Sequence, residues 1–245
     1  MEVSIVTKTD NAEEVVCRAA RGDYMPTTKT EYGTNWVENS VSFEQVMDGV
    51  DGSSIEEQKD NLIKQLLQRG HYGPFEHVSI TFSIKGISRV TMAQITRHRH
   101  LSFDVQSMRY VDFSEGSEIA IPKSLTDTDH FSRETGLVEA EDDVRKELLE
   151  KYENFAEESI SFYEEMVDAG IPKEDARFAL PLGTEVNMTM TGNARTMLHI
   201  LDMRRKADAQ WEARELSNEI LQELMLWMPT TFEYYKENGP NKLSP

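Results

Sequence analysis

Residues 94–110 read Gln94-Ile95-Thr96-Arg97-His98-Arg99-His100-Leu101-Ser102-Phe103-Asp104-Val105-Gln106-Ser107-Met108-Arg109-Tyr110. Three arginines and two histidines face one acid, Asp104, in a chain with 44 Asp and Glu against 26 Lys and Arg. A guanidinium presents a planar fork of donors that matches phosphate and carboxylate oxygens. The front of this stretch therefore reads as a phosphate clamp. Two other chemistries compete with that reading. His98 and His100 form an HxH pair, but a metal site needs a third ligand and nearby carboxylates. Arg97 and Arg99 would also repel a divalent cation, so no metal is expected. Ser107 as a nucleophile would need a base and an oxyanion hole, and no GxSxG elbow is present. It reads instead as a hydrogen-bond donor.

The pattern outward from this stretch alternates strands and helices. Ser88 to His98 has helical spacing, through Val90, Ala93, Gln94 and Arg97. Val78 to Lys85 alternates as a strand, after a turn over 71–77. A helix is predicted from Ile55 to Gln68, capped by Ser53 or Ser54 and stopped by Gly70. Its apolar stripe is Leu62, Ile63, Leu66 and Leu67. Residues 1–9 read as a strand, 11–21 as a helix and 22–40 as a loop. Downstream, 119–122 is a short strand candidate. An acidic amphipathic helix is predicted over 140–169, with Val144, Leu148, Tyr152, Phe155, Ile160, Tyr163 and Met166 roughly on one side. A new short helix begins at Ile171-Pro172. Glu185 to Thr191 alternates as a strand that Gly192 breaks. Asn193 caps a helix over 194–206, and a second helix, 208–228, ends at Pro229. No repeat or Pro/Ser-rich linker appears. The economical architecture is one α+β domain over 1–245, an antiparallel sheet with long helices.

Charge sharpens the functional reading. The 245 residues carry a net charge of −18. Segments 86–110 and 177–206 are each locally +3, which leaves −24 for the remainder. By charge alone two readings stand: the arginines pair with surplus carboxylates, or they bind a small anionic ligand. The overall balance argues against duplex nucleic acid, whose binding requires phosphate neutralisation. No apolar run reaches the roughly 20 residues of a membrane span, and the acidic start does not resemble a signal peptide. One cysteine, Cys17, excludes an internal disulfide, and a cytoplasmic location is expected. Neither GxGxxG nor GxxxxGK[ST] occurs, so a nucleotide must be held by arginines and helix N-termini rather than by a Rossmann or P-loop fingerprint.

A second constellation lies on the helix predicted over 194–206. Arg195 and His199 are four apart and share a face. Asn193, Ile200 and Arg204 fall close to one stripe. The helix start offers N–H groups to an anion, and Arg204 near its end suits the helix dipole. An ordinary amphipathic surface helix accounts for the pattern equally well.

These strings resemble the flavin-dependent thymidylate synthases. Arg97-His98-Arg99, seven residues, then Ser107 is similar to that family's RHR-x7-S signature, with Gln94 at the expected spacing before it and Arg109-Tyr110 after it. His71-x-x-Pro74-Phe75-Glu76-His77 resembles its HxxPFEH element. Ala176-Arg177-Phe178-Ala179-Leu180-Pro181-Leu182, then Asn193-Ala194-Arg195, His199, Arg204 and Ala209-Gln210-Trp211-Glu212 look like its C-terminal block. The resemblance covers roughly residues 70–235.

What the resemblance implies is specific. The family converts dUMP to dTMP with 5,10-methylenetetrahydrofolate as carbon donor and NADPH as reductant, through tightly bound FAD, in homotetramers whose active sites are shared between subunits. By position, Gly73, Arg97, His98, Arg99, Val105, Asn193, Ala194, Arg195 and His199 correspond to FAD contacts. Gln94, Ile95, Thr96 and Arg97, then Val105, Gln106, Ser107, Met108 and Arg109, with Arg177 and Arg204, correspond to the dUMP pocket. Arg204 takes the place of the arginine that polarises the uracil ring. Arg109 and Arg177 would hold the phosphate and ring, with Ser107 as a positioning donor. Cys17 lies outside every motif, so thiol addition to the uracil is not expected, and hydride would come from reduced flavin. Three departures stand out. Gly73 falls where Ser or Thr is usual, Val105 where Glu or Gln is common, and Asp104 places an acid beside an anion site. The acidic stretch 112–145 reads as a peripheral insertion. The alternative is a non-catalytic nucleotide- or flavin-binding protein of the same fold, against which both retained arginine clusters argue.

Overall fold

The computed structural model describes residues 1–22, 42–114, 118–127, 131–132, 136–137 and 140–238. The loop predicted over 22–40 thus lies almost entirely outside the described residues. The elements run β1 (Glu2–Lys8), α1 (Ala12–Gly22), α2 (Phe43–Val46), α3 (Ile55–Arg69), a 3₁₀ turn (Gly73–His77), β2 (Ser79–Ser88), α4 (Arg89–Ile95) and β3 (Ser102–Val105). They continue with α5 (Lys123–Thr126), β4 (Phe131–Ser132), β5 (Gly136–Leu137), α6 (Asp142–Asp168), α7 (Lys173–Ala176), a 3₁₀ turn (Arg177–Ala179), β6 (Glu185–Asn193), α8 (Ala194–Arg204), α9 (Trp211–Trp227) and α10 (Pro229–Asn238). Four strands form an antiparallel sheet in the order β1-β2-β6-β3, and β4 pairs with β5 separately. The α+β expectation therefore holds.

The chain's contacts group into two compact units, 1–4 with 83–190 and 204–216, and 5–82 with 191–203 and 217–245. Every change from one unit to the other falls inside a strand or helix (β1, β2, β6, α8 and α9) rather than in a linker.

In the unit containing 5–82, α1 packs on the 73–77 turn and on α3, and α3 packs on α10. Val16, Ile63, Leu67, Phe75 and Phe232 are buried there, and full burial of each apolar side chain contributes about 1.5–3 kcal/mol. Ser54 caps α3 by accepting the Glu57 N–H at 3.2 Å, and Gly70 ends it at φ +72°, a conformation open to glycine. Glu13 is buried and accepts the Thr231 N–H at 2.9 Å, tying α10 to α1. Burial raises its pKa, against those hydrogen bonds.

In the other unit, α6 packs on α5, α7 and the 177–179 turn. Its buried residues are Arg145, Ser159 and Tyr163, and Tyr152, Ile160 and Met166 of the apolar line read from sequence are half-buried. Val144, Leu148 and Phe155, with Phe162, remain 44 to 55% exposed. The 3.6-residue period located the stripe correctly, but only its 152, 160, 163 and 166 members turn from solvent, and Val144, Leu148 and Phe155 do not. Three smaller differences concern helices and strands. α4 stops at Ile95, so Arg97 and His98 follow it in a turn. β6 runs through Gly192 to Asn193, where a break was expected, and 119–122 contributes only a bridge, Ile119 to Thr184.

Candidate active site

The strongest convergence is at Arg204, the last residue of α8. Its Nε donates to His98 Nε2 at 2.9 Å and its Nη2 to the Gln94 backbone oxygen at 2.8 Å. Its Nη1 reaches Gln94 Oε1 at 3.4 Å. Arg204 is thus brought to two residues that lie more than a hundred positions before it. All three acceptors are neutral, and among the described residues no carboxylate is bonded to Arg204. Burial, and then the neighbouring Arg97, push the Arg204 pKa down. A half-buried guanidinium held only by neutral groups, beside another cation, is a preformed seat for developing negative charge. Arg97 and Arg99 are exposed, with no ion pair or hydrogen bond among the described residues.

Arg109 and Arg177 meet at Glu174. Arg109 donates to Glu174 Oε2 from Nε at 2.9 Å and from Nη2 at 2.7 Å. Arg177 Nε donates to the Glu174 backbone oxygen at 2.9 Å. Arg89, which the motif comparison passed over, is drawn in as well. Its N–H binds the Thr184 oxygen at 3.1 Å, and burial followed by Arg177 pushes its pKa down. Its membership in the local +3 segment was the only sequence signal.

The remaining residues of this run act through the backbone. Gln106 extends β3 against β6: its N–H binds the Asn187 oxygen at 2.8 Å and its Oε1 accepts the Asn187 N–H at 3.1 Å. Val105, half-buried, ends β3, and Met108 is buried. Ser107 Oγ accepts the Arg109 N–H at 3.3 Å, and the Ser107 carbonyl accepts from Val111 at 3.0 Å. A turn is thereby set, and among the described residues the Ser107 hydroxyl has no acceptor of its own. Thr96 Oγ1 donates to the Met92 oxygen at 2.9 Å, and Ile95 is buried at the end of α4. Asp104 is exposed on β3, and nothing in the structure explains it.

Ahead of α4 sits a buried carboxylate. Glu212 accepts the Ser88 N–H at 2.6 Å, the Ser88 hydroxyl, and the Thr91 hydroxyl at 2.7 Å. All three residues are buried. Ser88 is also the N-cap of α4, accepting the Thr91 N–H at 3.1 Å. This clamp fixes one end of α4, and Gln94 lies at the other.

The unit containing 5–82 holds the other candidates. Gly73 opens the 73–77 turn, and beyond its chain neighbours no heavy atom among the described residues lies within 4 Å of the point a Cβ would occupy. Arg195 is ion-paired with Glu76 of the same turn. Ala194 N–H donates to the Val78 oxygen at 3.2 Å, and Asn193 Oδ1 accepts the Thr196 N–H at 2.8 Å. Two donors at the start of α8 are therefore spent internally, which corrects the expectation that they await an anion. His199 is half-buried on the same helix. Burial, then Asp202, raises the Tyr72 pKa beside this group.

Cys17 is fully buried in α1, in the unit holding Gly73. Burial, then Glu13, pushes its thiol up to about 12. Such a group supplies almost no thiolate near neutral pH. A Cys17→Ala variant should keep product formation per folded molecule within about twofold of the parent. Steady-state assays on the refolded, concentration-matched variant check this. Loss of turnover with intact folding would give the thiol a chemical role.

Among the described residues no group of three or more His, Cys, Asp or Glu gathers as a metal site would require. No helix there is long and apolar enough to cross a membrane. The model of the thymidylate synthase complementing protein family, Thy1, matches residues 4–230. The flavin-dependent thymidylate synthases of Haloarcula marismortui and Halobacterium salinarum are 45% and 44% identical to this chain over the full length of both partners. That of Geobacter sulfurreducens is 30% identical over 100% of this chain and 89% of its own. Among solved structures, the UMP/dUMP methylase PolB from Streptomyces cacaoi, bound with 5-Br dUMP, superposes with a TM-score of 0.76 at 24% identity, covering 100% of this chain and 97% of that one. With a family model spanning nearly the whole chain and relatives matched end to end, this chain belongs to the flavin-dependent thymidylate synthase family.

Proposed function

We propose that this chain is a methyltransferase that converts dUMP to dTMP, with 5,10-methylenetetrahydrofolate as carbon donor, NADPH as reductant and FAD as resident cofactor. The observation that carries the reading is Arg204, half-buried and bound only to the neutral acceptors of Gln94 and His98. It would stabilise negative charge developing on the N3/O4 side of the uracil ring. Gln94 and the 105–109 run would orient the nucleotide, with Arg109 and Arg177 on its phosphate. Arg97 and Arg99 fit a diphosphate, being exposed and uncommitted among the described residues. The flavin, when bound, supplies the two-electron reduction. Gly73, Asn193, Ala194, Arg195 and His199 would serve the flavin nucleotide of a site shared within a homotetramer. The apolar line on α6, and Phe178 and Tyr110 at 84% and 78% exposure, support burial against further copies.

Tritium release from 5-tritiated dUMP tests the reading. Release should occur in the complete mixture and fall to background when flavin, folate or NADPH is omitted. The purified protein should be yellow and bleach anaerobically with NADPH. A colourless protein that neither retains FAD nor releases tritium would favour the non-catalytic nucleotide-binding alternative.

A further inference from the structure

The two arginines assigned to the phosphate share one partner. Both donors of Arg109 converge on a single oxygen of Glu174, at 2.9 and 2.7 Å. Arg177 takes the backbone oxygen of the same residue. The Arg109 and Glu174 side chains are 52% and 46% exposed, so the pair is solvated and weakly held. It is also not needed to hold its turn. Lys173 binds Asp112 at 2.9 Å, and the Phe113 N–H binds the Tyr163 hydroxyl at 3.3 Å, fastening the same segment independently.

We propose that Glu174 is an internal competitor for the phosphate of the substrate: its carboxylate occupies the Arg109 fork in the free protein and swings out when the nucleotide arrives. The inference rests on reading Arg109 as a phosphate ligand. A carboxylate carries one negative charge and here offers the fork one oxygen. A nucleotide phosphate carries nearly two charges and three oxygens, and binds bidentately. Phosphate therefore displaces the side chain, whereas monoanions and uncharged nucleosides do so poorly. Glu174 thus acts as a selectivity filter that lowers absolute affinity while favouring phosphorylated ligands.

The test measures dUMP Kd and KM, with inorganic phosphate as a second probe, for Glu174→Gln, Arg109→Ala and the double variant. Exposed pairs of this kind are typically worth about 1.5- to fivefold in an equilibrium. Glu174→Gln should tighten dUMP and phosphate by about that factor, more at low salt than at high salt. Arg109→Ala should weaken dUMP about tenfold or more. In that background the Glu174 substitution should have no further effect. If Arg109→Ala weakens dUMP but Glu174→Gln leaves it unchanged or weakens it, the competitor role is wrong. If Arg109→Ala leaves dUMP binding intact, the phosphate reading itself fails. An effect of Glu174→Gln confined to kcat also overturns the proposal. Glu174→Ala repeats the measurement without an amide in the fork.

Discussion

Arg204→Ala lowers tritium release and dTMP formation about 10²- to 10³-fold, the usual cost of removing one preorganised donor from a site of developing charge. The effect should be large because the groups that Arg204 binds, His98 and Gln94, are neutral and Arg97 beside it is exposed. Flavin absorbance should survive, since Arg97 and Arg99 remain. Arg204→Lys should recover little. An ammonium is compact and cannot span the His98 nitrogen and the Gln94 carbonyl with one planar group. Steady-state kinetics with dUMP, alongside the flavin spectrum, check the prediction. Unchanged kcat and KM would remove Arg204 from the chemistry.

The second large effect concerns folding. Glu212→Ala leaves the buried Ser88 N–H and hydroxyl without their acceptor and the Thr91 hydroxyl with Gln210 Oε1 alone, at a cost of about 3 kcal/mol. For a chain of this size that lowers Tm by about 6–12 °C. Glu212→Gln should cost less, because an amide oxygen still accepts from one side. The loss should also reach the active site. Ser88 begins the helix that carries Gln94, and residues 205–211 join Glu212 to Arg204. The Glu212 clamp and the Arg204–Gln94 contact therefore connect the same two segments. A raised KM for dUMP at temperatures where Glu212→Ala is fully folded should accompany the lower Tm. A melting point within about 2 °C of the parent would show the clamp to be idle.

Much of this was legible in sequence where the signal was local or motif-bound. Ser54 and Gly70 bracket α3 as their capping preferences require, and the alternation over 78–85 became β2. Gln94, His98 and Arg204 belong to separated strings that the structure joins by hydrogen bonds. Where the reading went astray, the physics was non-local. Val144, Leu148 and Phe155 have the period of a core-facing stripe. A stripe facing another molecule has the same period, so sequence does not distinguish them. Glu174 and Glu212 are two acids among 44. Glu174 is exposed on an arginine with no motif around it, and Glu212 lies in the Ala209–Glu212 string, which does not tell that it is buried under hydroxyls. Gly192 reads as a breaker in isolation, yet strand pairing carries β6 past it.

The hydrogen bond from Arg204 to His98 has a consequence for the imidazole itself. Nε2 accepts, so its lone pair is in use and the ring's single proton sits on Nδ1. His98 therefore presents a donor on its far side, and only in one tautomer. Placing a second proton on Nε2 would set two N–H groups against each other and turn Arg204 away from its seat. Of the two ring nitrogens, Nε2 thus orients the arginine while Nδ1 carries the ring's proton.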